Sequence, residues 1–592
     1  MAEKKRKSQS LLNGALVLSL ATLIVKVIGV IYKIPLSNMI GTVGRGYFDS
    51  AYNLYIPIYT ISMAGLPVAI SKMVSQQLAM GNFRDVKLIH RVAKRLFLIM
   101  GILGTLAMLI LAYPYALSAK NMDGLPAIFV ITPSIFFCCV MSSYRGYYNG
   151  LRNMTPTAIS QVFEAVGKLA FGLVCAKFVI NYGYSRFEAG LSVFGRTVAN
   201  ETEALSAIYP YAAAAAAAGV TLGTVVGMIY LFILYKVKGD NITKSELAAA
   251  PKPQKSNVVA KKLITFAIPV VASSLVFSIT NLIDAITIQN RLEHMIVNNM
   301  DYIRNLYSVE LANVLDADVK NFLYGAYSLS LDFKNLIPSI TMPLGISAIP
   351  ALSAAWAIKN KKQIKVSIES VLRVTMIIAM PCGIGMGVLA QPILAAFYGS
   401  GNSAAGISIA APVMAVYGYS IFLMALSQPM TNMLQALDRA KIPLISLSLG
   451  AIAKLVANYI LVAIPSINVN GAVIGTIICY AIIVIINLGA LIFTAKIKLN
   501  FISVFIKPAF CGVLCGLAAY TSFGLCNRFI PEFQLAGHSL KTILCLGVGI
   551  GFGGLVYLIS MLLIKGIAKD DVNMLPKGEK IAKILAKYGF IE

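Results

Sequence analysis

The chain has 592 residues, of which 58% are hydrophobic and only 12% charged, and its mean hydropathy is +0.78. Soluble domains carry about 25% charged residues, so a water-soluble globule is excluded and an integral membrane protein is expected. The formal net charge of +26 is not a nucleic-acid footprint, because no basic patch is interleaved with aromatic residues.

Apolar runs of about 20 residues, the length that crosses about 30 Å of hydrocarbon as helix, recur from Leu11 to Leu563. In chain order we read fourteen, at 11–35, 48–71, 96–118, 126–148, 156–180, 205–235, 263–289, 322–350, 368–396, 406–434, 442–464, 470–495, 503–526 and 540–564. The alternating ten-residue segments of a membrane barrel are absent. The expected fold is an all-α integral membrane protein of about 14 transmembrane helices.

The basic N-terminus (Lys4, Lys5, Arg6, Lys7) precedes an apolar stretch too long for a signal peptide, so it reads as the first span. With fourteen spans, the cytoplasmic loops hold Arg84, Lys87, Arg91, Lys94 and Arg95, then Lys359, Lys361, Lys362 and Lys365. The opposite loop 291–321 carries Glu293, Asp301, Glu310, Asp316 and Asp318. This asymmetry follows the positive-inside rule and puts both termini in the cytoplasm. The surplus basic charge is then topology and contact with anionic membrane lipids.

Two sets of six helices flank a polar linker. We expect an N-lobe over 1–236 (helices 1–6), a cytoplasmic linker over 237–261 and a C-lobe over 262–497 (helices 7–12). Helices 13 and 14 follow over 498–566, then a cytoplasmic tail over 567–592. In the tail, segment 577–588 sets Ile581, Ile584, Leu585 and Tyr588 opposite Lys580, Lys583 and Lys587, a pattern for an interfacial helix. The lobes read as a repeat. Gly65–Ser71 at the end of the second span is echoed by Pro343–Pro350, and Gly150–Asn153 by Ala436–Arg439, with Lys168 and Lys454 each in mid-helix afterwards. Six helices per lobe is even, so the pseudo-symmetry axis runs along the membrane normal and a central cavity is expected.

An ionisable residue in mid-membrane costs about 3 kcal/mol on insertion scales, so each needs a reason. Ser19, Lys26 and Lys33 share one face of the first helix. Lys33 is close enough to the interface to snorkel. Lys26 lies about 22 Å from Leu11, too deep for that, and either lines a cavity or pairs with a carboxylate of another helix such as Asp284. The fifth helix aligns Gln161, Glu164 and Lys168, with Glu four residues before Lys. That order suits a self-neutralised ion pair as well as substrate or ion handling. The seventh carries Ser274, Ser278, Asn281 and Asp284 on one side, cavity lining or interhelical glue. The eighth has Asp332, Lys334 and Asn335. Asp49, Tyr52, Tyr55 and Tyr59 on the second suit a sugar-facing wall or an aromatic belt. Pro57, Pro67, Pro269, Pro338, Pro343, Pro350 and Pro381 fall inside spans and should kink them. The small residues Ala212–Ala218 permit close helix approach.

Nine cysteines without CxxC spacing and three histidines imply no metal site. No GxxxxGK[ST] loop is present, so no nucleotide or other cofactor is expected. A membrane polysaccharide polymerase or ligase would want a large catalytic external loop, which is missing. A multidrug or organic-cation antiporter would want unpaired carboxylates in helices 1 and 7, where only Asp284 is found.

Arg45-Gly46-Tyr47-Phe48 with Ala51-Tyr52-Asn53, Gly65–Lys72, and Tyr144–Gly150 running into Met154–Glu164 resemble the stage V sporulation protein B and polysaccharide-transporter family. The resemblance covers nearly the whole chain. Two departures are Asn149 and Ala165, where the family usually has glutamine. That family lies in the multidrug/oligosaccharidyl-lipid/polysaccharide flippase superfamily, alongside multidrug extruders and lipid II flippases. The resemblance implies a secondary transporter of the bacterial plasma membrane. It would flip an undecaprenyl-diphosphate-linked sugar or peptidoglycan precursor from the inner to the outer leaflet by alternating access, with H+ or Na+ as a possible coupling ion. Among lipid II flippases the first-helix cation is matched by Lys26, while two further cavity arginines fall on Tyr32 and Tyr59. A diphosphate headgroup requires cations in a low-dielectric cavity. Lys26, Lys168, Lys334 and Lys454 are the substrate-binding candidates with Tyr52 and Tyr55, and Glu164, Asp284 and Asp332 the ion-coupling candidates.

Overall fold

A long apolar run can satisfy its backbone in hydrocarbon only as helix or closed barrel, and this chain takes the first course. The computed structural model describes residues 11–63, 66–240, 242–399, 401–439, 441–531, 534–535, 538–568 and 571. The chain divides into two units, residues 1–290 with 313–325, and residues 291–312 with 326–592.

In the first unit α1 (Leu11–Met63), α2 (Leu66–Ala79), α3 (Phe83–Ser118), α4 (Leu125–Ile131) and α5 (Pro133–Gly150) follow in order. Then come α6 (Thr155–Glu188), α7 (Glu201–Lys238), the short α8 (Lys244–Ala249) and α9 (Ser256–Asn298), whose residues from 291 on belong to the second unit. The connection onward holds α10 (Met300–Leu306) and leads into α11 (Val319–Lys334), whose first residues belong to the first unit. The second unit continues with α12 (Leu336–Ala357), α13 (Lys361–Val388), α14 (Ala390–Tyr398) and α15 (Ile407–Ala436). It ends with α16 (Lys441–Leu461), α17 (Asn470–Ala495), α18 (Lys507–Phe529) and α19 (Leu540–Leu563), the last two joined through an antiparallel pair, Gln534–Leu535 with His538–Ser539.

The expected spans fall on helical segments, but several are divided between two: 126–148 between α4 and α5, 322–350 between α11 and α12, and 368–396 between α13 and α14. Among the described residues, ten helical segments are long and apolar enough to span a membrane. The protein is an all-α, multi-pass membrane protein. The interfacial helix expected at 577–588 lies outside the described residues.

The kink inside α1 is not at a proline. α1 continues through Pro35 and Pro57, and α13 through Pro381, whereas α1 leaves helical geometry at Gly41 (φ 68°, ψ 179°). That conformation is open to glycine and strained for residues with a Cβ. The first expected span and the second as far as Met63 are therefore the two arms of one kinked helix.

Helices α6 and α7 approach through glycines. A Cβ on Gly223 would lie 2.6 Å from the Glu164 carbonyl oxygen and 2.7 Å from the Lys168 backbone nitrogen. The alanine run contributes as expected, with Ala212, Ala213, Ala216 and Ala217 fully buried and the Tyr32 hydroxyl donating to the Ala216 carbonyl at 3.1 Å. Such small-residue contacts hold helices together where no hydrophobic force acts between them. The linker is docked rather than loose. Arg84 Nε donates to the Leu247 carbonyl at 2.8 Å, and the Gln254 backbone N–H donates to Asp85 Oδ1 at 2.7 Å. A capping box of Thr243 and Glu246 starts α8.

The second arm of α1 is bound to the start of α11. Tyr47 Oη donates to Asp318 Oδ1 at 3.1 Å, and Asn53 Nδ2 donates to Tyr324 Oη at 2.6 Å. Burial pushes the Asp318 carboxyl above its usual range, against the opposing hydrogen bonds from Ser206 and Tyr47. In the second unit, Arg373 forms a buried fork with Asp571 (2.6 and 3.1 Å) and also donates to Ser503 at 3.1 Å, tying the chain beyond α19 back to α13.

Candidate functional site: a tyrosine-caged lysine on α6

The kink at Gly41 brings both arms of α1 within reach of α6. Tyr32 comes from the first arm and Tyr52 from the second, and Lys168 projects from α6 between them. Its ammonium donates to Tyr52 Oη at 3.2 Å and lies 4.9 Å from the Tyr52 ring centroid and 5.1 Å from that of Tyr32. Both distances are within cation–π range. Lys168 is half-buried and has no carboxylate partner among the described residues. From Tyr52 a ladder of rings runs along α1, to Tyr55 at 5.5 Å and on to Tyr59 at 5.4 Å.

Of the two alternatives left open for Glu164 and Lys168, the intrahelical ion pair is not what forms. Glu164 Oε2 accepts from Arg145 Nη2 at 2.8 Å, and Arg145 Nε donates to Ser160 Oγ at 2.9 Å. The guanidinium, with several donors in a rigid fork, holds both groups at once. Arg145 is on α5 inside an expected span, and its charge in an apolar run was the signal that it needed a partner. A second internal pair, Arg45 with Asp49, is completed by Arg45 Nη1 donating to Ser37 Oγ at 2.8 Å. The charges here sum simply. Two acid–base pairs cancel, and the Lys168 ammonium remains.

The other candidates are dispersed. Lys26 is exposed on α1 and has no ion-pair partner among the described residues, so the alternative pairing with Asp284 is not formed. Asp284 and Ser278 are buried on α9, while Asn281 is exposed; the Ser274 side chain lies outside the described residues. Tyr55 is 4% exposed, sealed between its neighbours, so Tyr52 is the more accessible ring. In the second unit Lys334 lies 5.2 Å from the Tyr417 ring centroid, and Tyr398 Oη donates to Asp332 Oδ2 at 2.7 Å. The Tyr417 hydroxyl is 3.1 Å from that of Tyr327. Lys454, the expected counterpart of Lys168, is buried on α16, where α16 packs against α17.

Residues 11–200 match the family model described as "Polysaccharide biosynthesis protein", and residues 295–536 match "Lipid II flippase MurJ". The Lipid II flippase MurJ of Bacillus subtilis (strain 168) is 25% identical over 496 residues, covering 80% of this chain and 81% of the relative. Stage V sporulation protein B of the same organism is 23% identical over 575 residues, covering 96% and 98%. Along most of its length the chain is thus similar to proteins whose names describe polysaccharide biosynthesis, lipid II flipping and sporulation.

Solved structures agree on the fold. A multidrug resistance MATE family transporter of the MOP superfamily, in an inward-facing conformation, superposes with a TM-score of 0.57 at 16% identity, covering 82% of this chain and 98% of that one. Lipid II flippase MurJ in an inward closed conformation gives 0.56 at 14% identity, covering 93% and 98%. Tyr32, Tyr52, Arg145, Glu164 and Lys168 all fall within the first family match, and Lys334 and Lys454 within the second. At Tyr32, where the resemblance expects a cavity arginine, the chain carries a ring and the cation arrives from α6.

Proposed function

We propose that the protein flips a prenyl-diphosphate-linked saccharide or peptidoglycan precursor, of the lipid II type, from the inner to the outer leaflet. The observation that carries this reading is the tyrosine-caged Lys168. Beside two neutralised acid–base pairs it is a surplus positive charge, suited to an anionic headgroup, and Tyr52 offers a ring and a hydroxyl to a sugar. The reading is also supported by the homologues, whose names describe flippase and sporulation functions. Only the headgroup need cross the cavity, because the prenyl chain can stay in lipid.

In this reading the chain is a secondary transporter and not an enzyme, resides in the bacterial plasma membrane with both termini cytoplasmic, and crosses it fourteen times in two six-helix lobes plus two helices. Coupling is to H+ or Na+, with Glu164, Asp284 and Asp332 as candidate carboxylates. Organic-cation antiport is disfavoured by the Arg145–Glu164 pair, which removes the carboxylate an organic cation would seek at this site.

Loss of the protein followed by analysis of membrane lipids tests the reading. A prenyl-diphosphate saccharide should accumulate in the inner leaflet, where externally added enzymes cannot reach it. Unchanged levels and unchanged accessibility of every such lipid, in cells with no second flippase, would reject it.

A further inference from the structure

Two of the sequence motifs, Gly65–Lys72 and Tyr144–Gly150, have no part in the Lys168 site beyond Arg145, yet from Pro67 on the first packs against the second. A Cβ on Gly150 would lie 2.6 Å from Val74 Cβ and 3.0 Å from the Ser71 carbonyl oxygen, and Ser75 Oγ donates to the Gly150 carbonyl at 2.8 Å. Between them is a cavity of about 350 Å³ lined by Pro67, Ser71, Lys72, Ser75, Asn149 and Met154.

The donors in this cavity are suited to an anion. Lys72 has no carboxylate partner among the described residues, and its ammonium is held 4.4 Å from the Phe266 ring centroid. Asn149 Oδ1 accepts from Thr157 Oγ1 at 2.8 Å, so its amide hydrogens are the part left to donate. Ser71 adds a hydroxyl. No acidic residue lines the cavity.

The depth of the cavity indicates its ligand. Lys72 and Asn149 are each the first residue past an expected span, on two different helices. From Lys72 to the end of α2 at Ala79 is about 10 Å at 1.5 Å per residue. That puts the cavity in the interfacial layer, where lipid phosphates lie, on the side the basic loops assign to the cytoplasm. We propose that this cavity is a loading site for a lipid-borne phosphate group of the inner leaflet, gripped by Lys72 and Asn149 before the headgroup passes to Lys168. This rests on the flippase reading above and adds an entry point to it.

The test is binding of a C55 prenyl diphosphate to the full-length protein in phosphatidylcholine nanodiscs, read by native mass spectrometry. It is repeated in the Lys168→Gln protein so that binding at α6 does not mask a loss. Lys72→Gln should weaken binding about tenfold, and Lys72→Arg should retain most of it. Asn149→Asp keeps an acceptor for Thr157 but replaces the donor with a negative charge, so it should weaken binding at least as much as Lys72→Gln. Thermal unfolding of each variant should match the parent. Wild-type affinity in both Lys72→Gln and Asn149→Asp would overturn the loading site while leaving the flippase reading intact. Competition by inorganic pyrophosphate as effective as by the lipid would also overturn it, by assigning the cavity to a free anion. Displacement by an equal amount of phosphatidylglycerol would overturn it as well, by assigning the cavity to bulk lipid. Failure of the unmodified protein to bind the prenyl diphosphate at all would instead remove the flippase reading.

Discussion

Neutralising Lys168 should cripple transport at little cost in stability, whereas neutralising Glu164 should lower stability. A negative charge about 4 Å from an ammonium gains about 4 kcal/mol at an effective dielectric of about 20. Desolvation of both groups offsets much of this, so Lys168→Gln should cost one to two powers of ten in flipping rate, at about 1.4 kcal/mol each. Its stability cost should be small. The change removes contacts with Tyr32 and Tyr52 worth about 0.5–2 kcal/mol, and no carboxylate is left orphaned. Glu164→Gln leaves the Arg145 guanidinium, 12% exposed, without its counter-ion. Breaking a buried pair from one side costs about 3–5 kcal/mol; the partial exposure of Glu164 (28%) places the expected loss below that range. Purified variants in liposomes would be assayed with a fluorescent prenyl-diphosphate saccharide and an impermeant quencher, with thermal unfolding in parallel. Wild-type flipping in Lys168→Gln, or lost stability in that variant with none in Glu164→Gln, would refute the reasoning.

Gly223→Val should push α7 away from the backbone of Glu164 and Lys168, lowering thermal stability by about 1–3 kcal/mol and flipping with it; unaltered unfolding would show that the close approach is unimportant. Lys26→Gln, at an exposed position without an ion-pair partner among the described residues, should leave protein abundance unchanged while slowing flipping, and normal flipping would remove Lys26 from the substrate path. A cysteine placed in 237–261 should resist an impermeant thiol reagent in intact cells while one in 291–321 reacts, and the reverse pattern would overturn the assigned orientation. Arg84→Ala, which removes the donors to Leu247 and Ala248, should speed hydrogen exchange across 242–255; unchanged exchange would mean the linker is held by other contacts.

The helices were legible because each apolar run is long enough to be recognised without knowing its neighbours. The kink at Gly41 was not, since a glycine in an apolar run is compatible with helix and only φ and ψ distinguish a break. Prolines drew attention instead, yet Pro57 and Pro381 lie inside continuing helices. The site was half visible. Lys168 and Tyr52 each stood out as polar groups in a span, but they are 116 positions apart and nothing in one sequence joins them. The partner of Glu164 was illegible because helical spacing makes Lys168 available, while the partner used, Arg145, arrives from the preceding helix. Docking of the linker was illegible for a similar reason: a polar, proline-containing stretch reads as loop whether or not Arg84 and Asp85 hold it.

Reconstituted flipping is the most direct measurement. Purified protein in liposomes free of ATP should move a fluorescent prenyl-diphosphate saccharide between leaflets, at a rate that responds to an imposed H+ or Na+ gradient or membrane potential and drops at least tenfold in Lys168→Gln. If the saccharide lipid stays in its leaflet while organic cations are transported against a gradient, the flippase account is wrong.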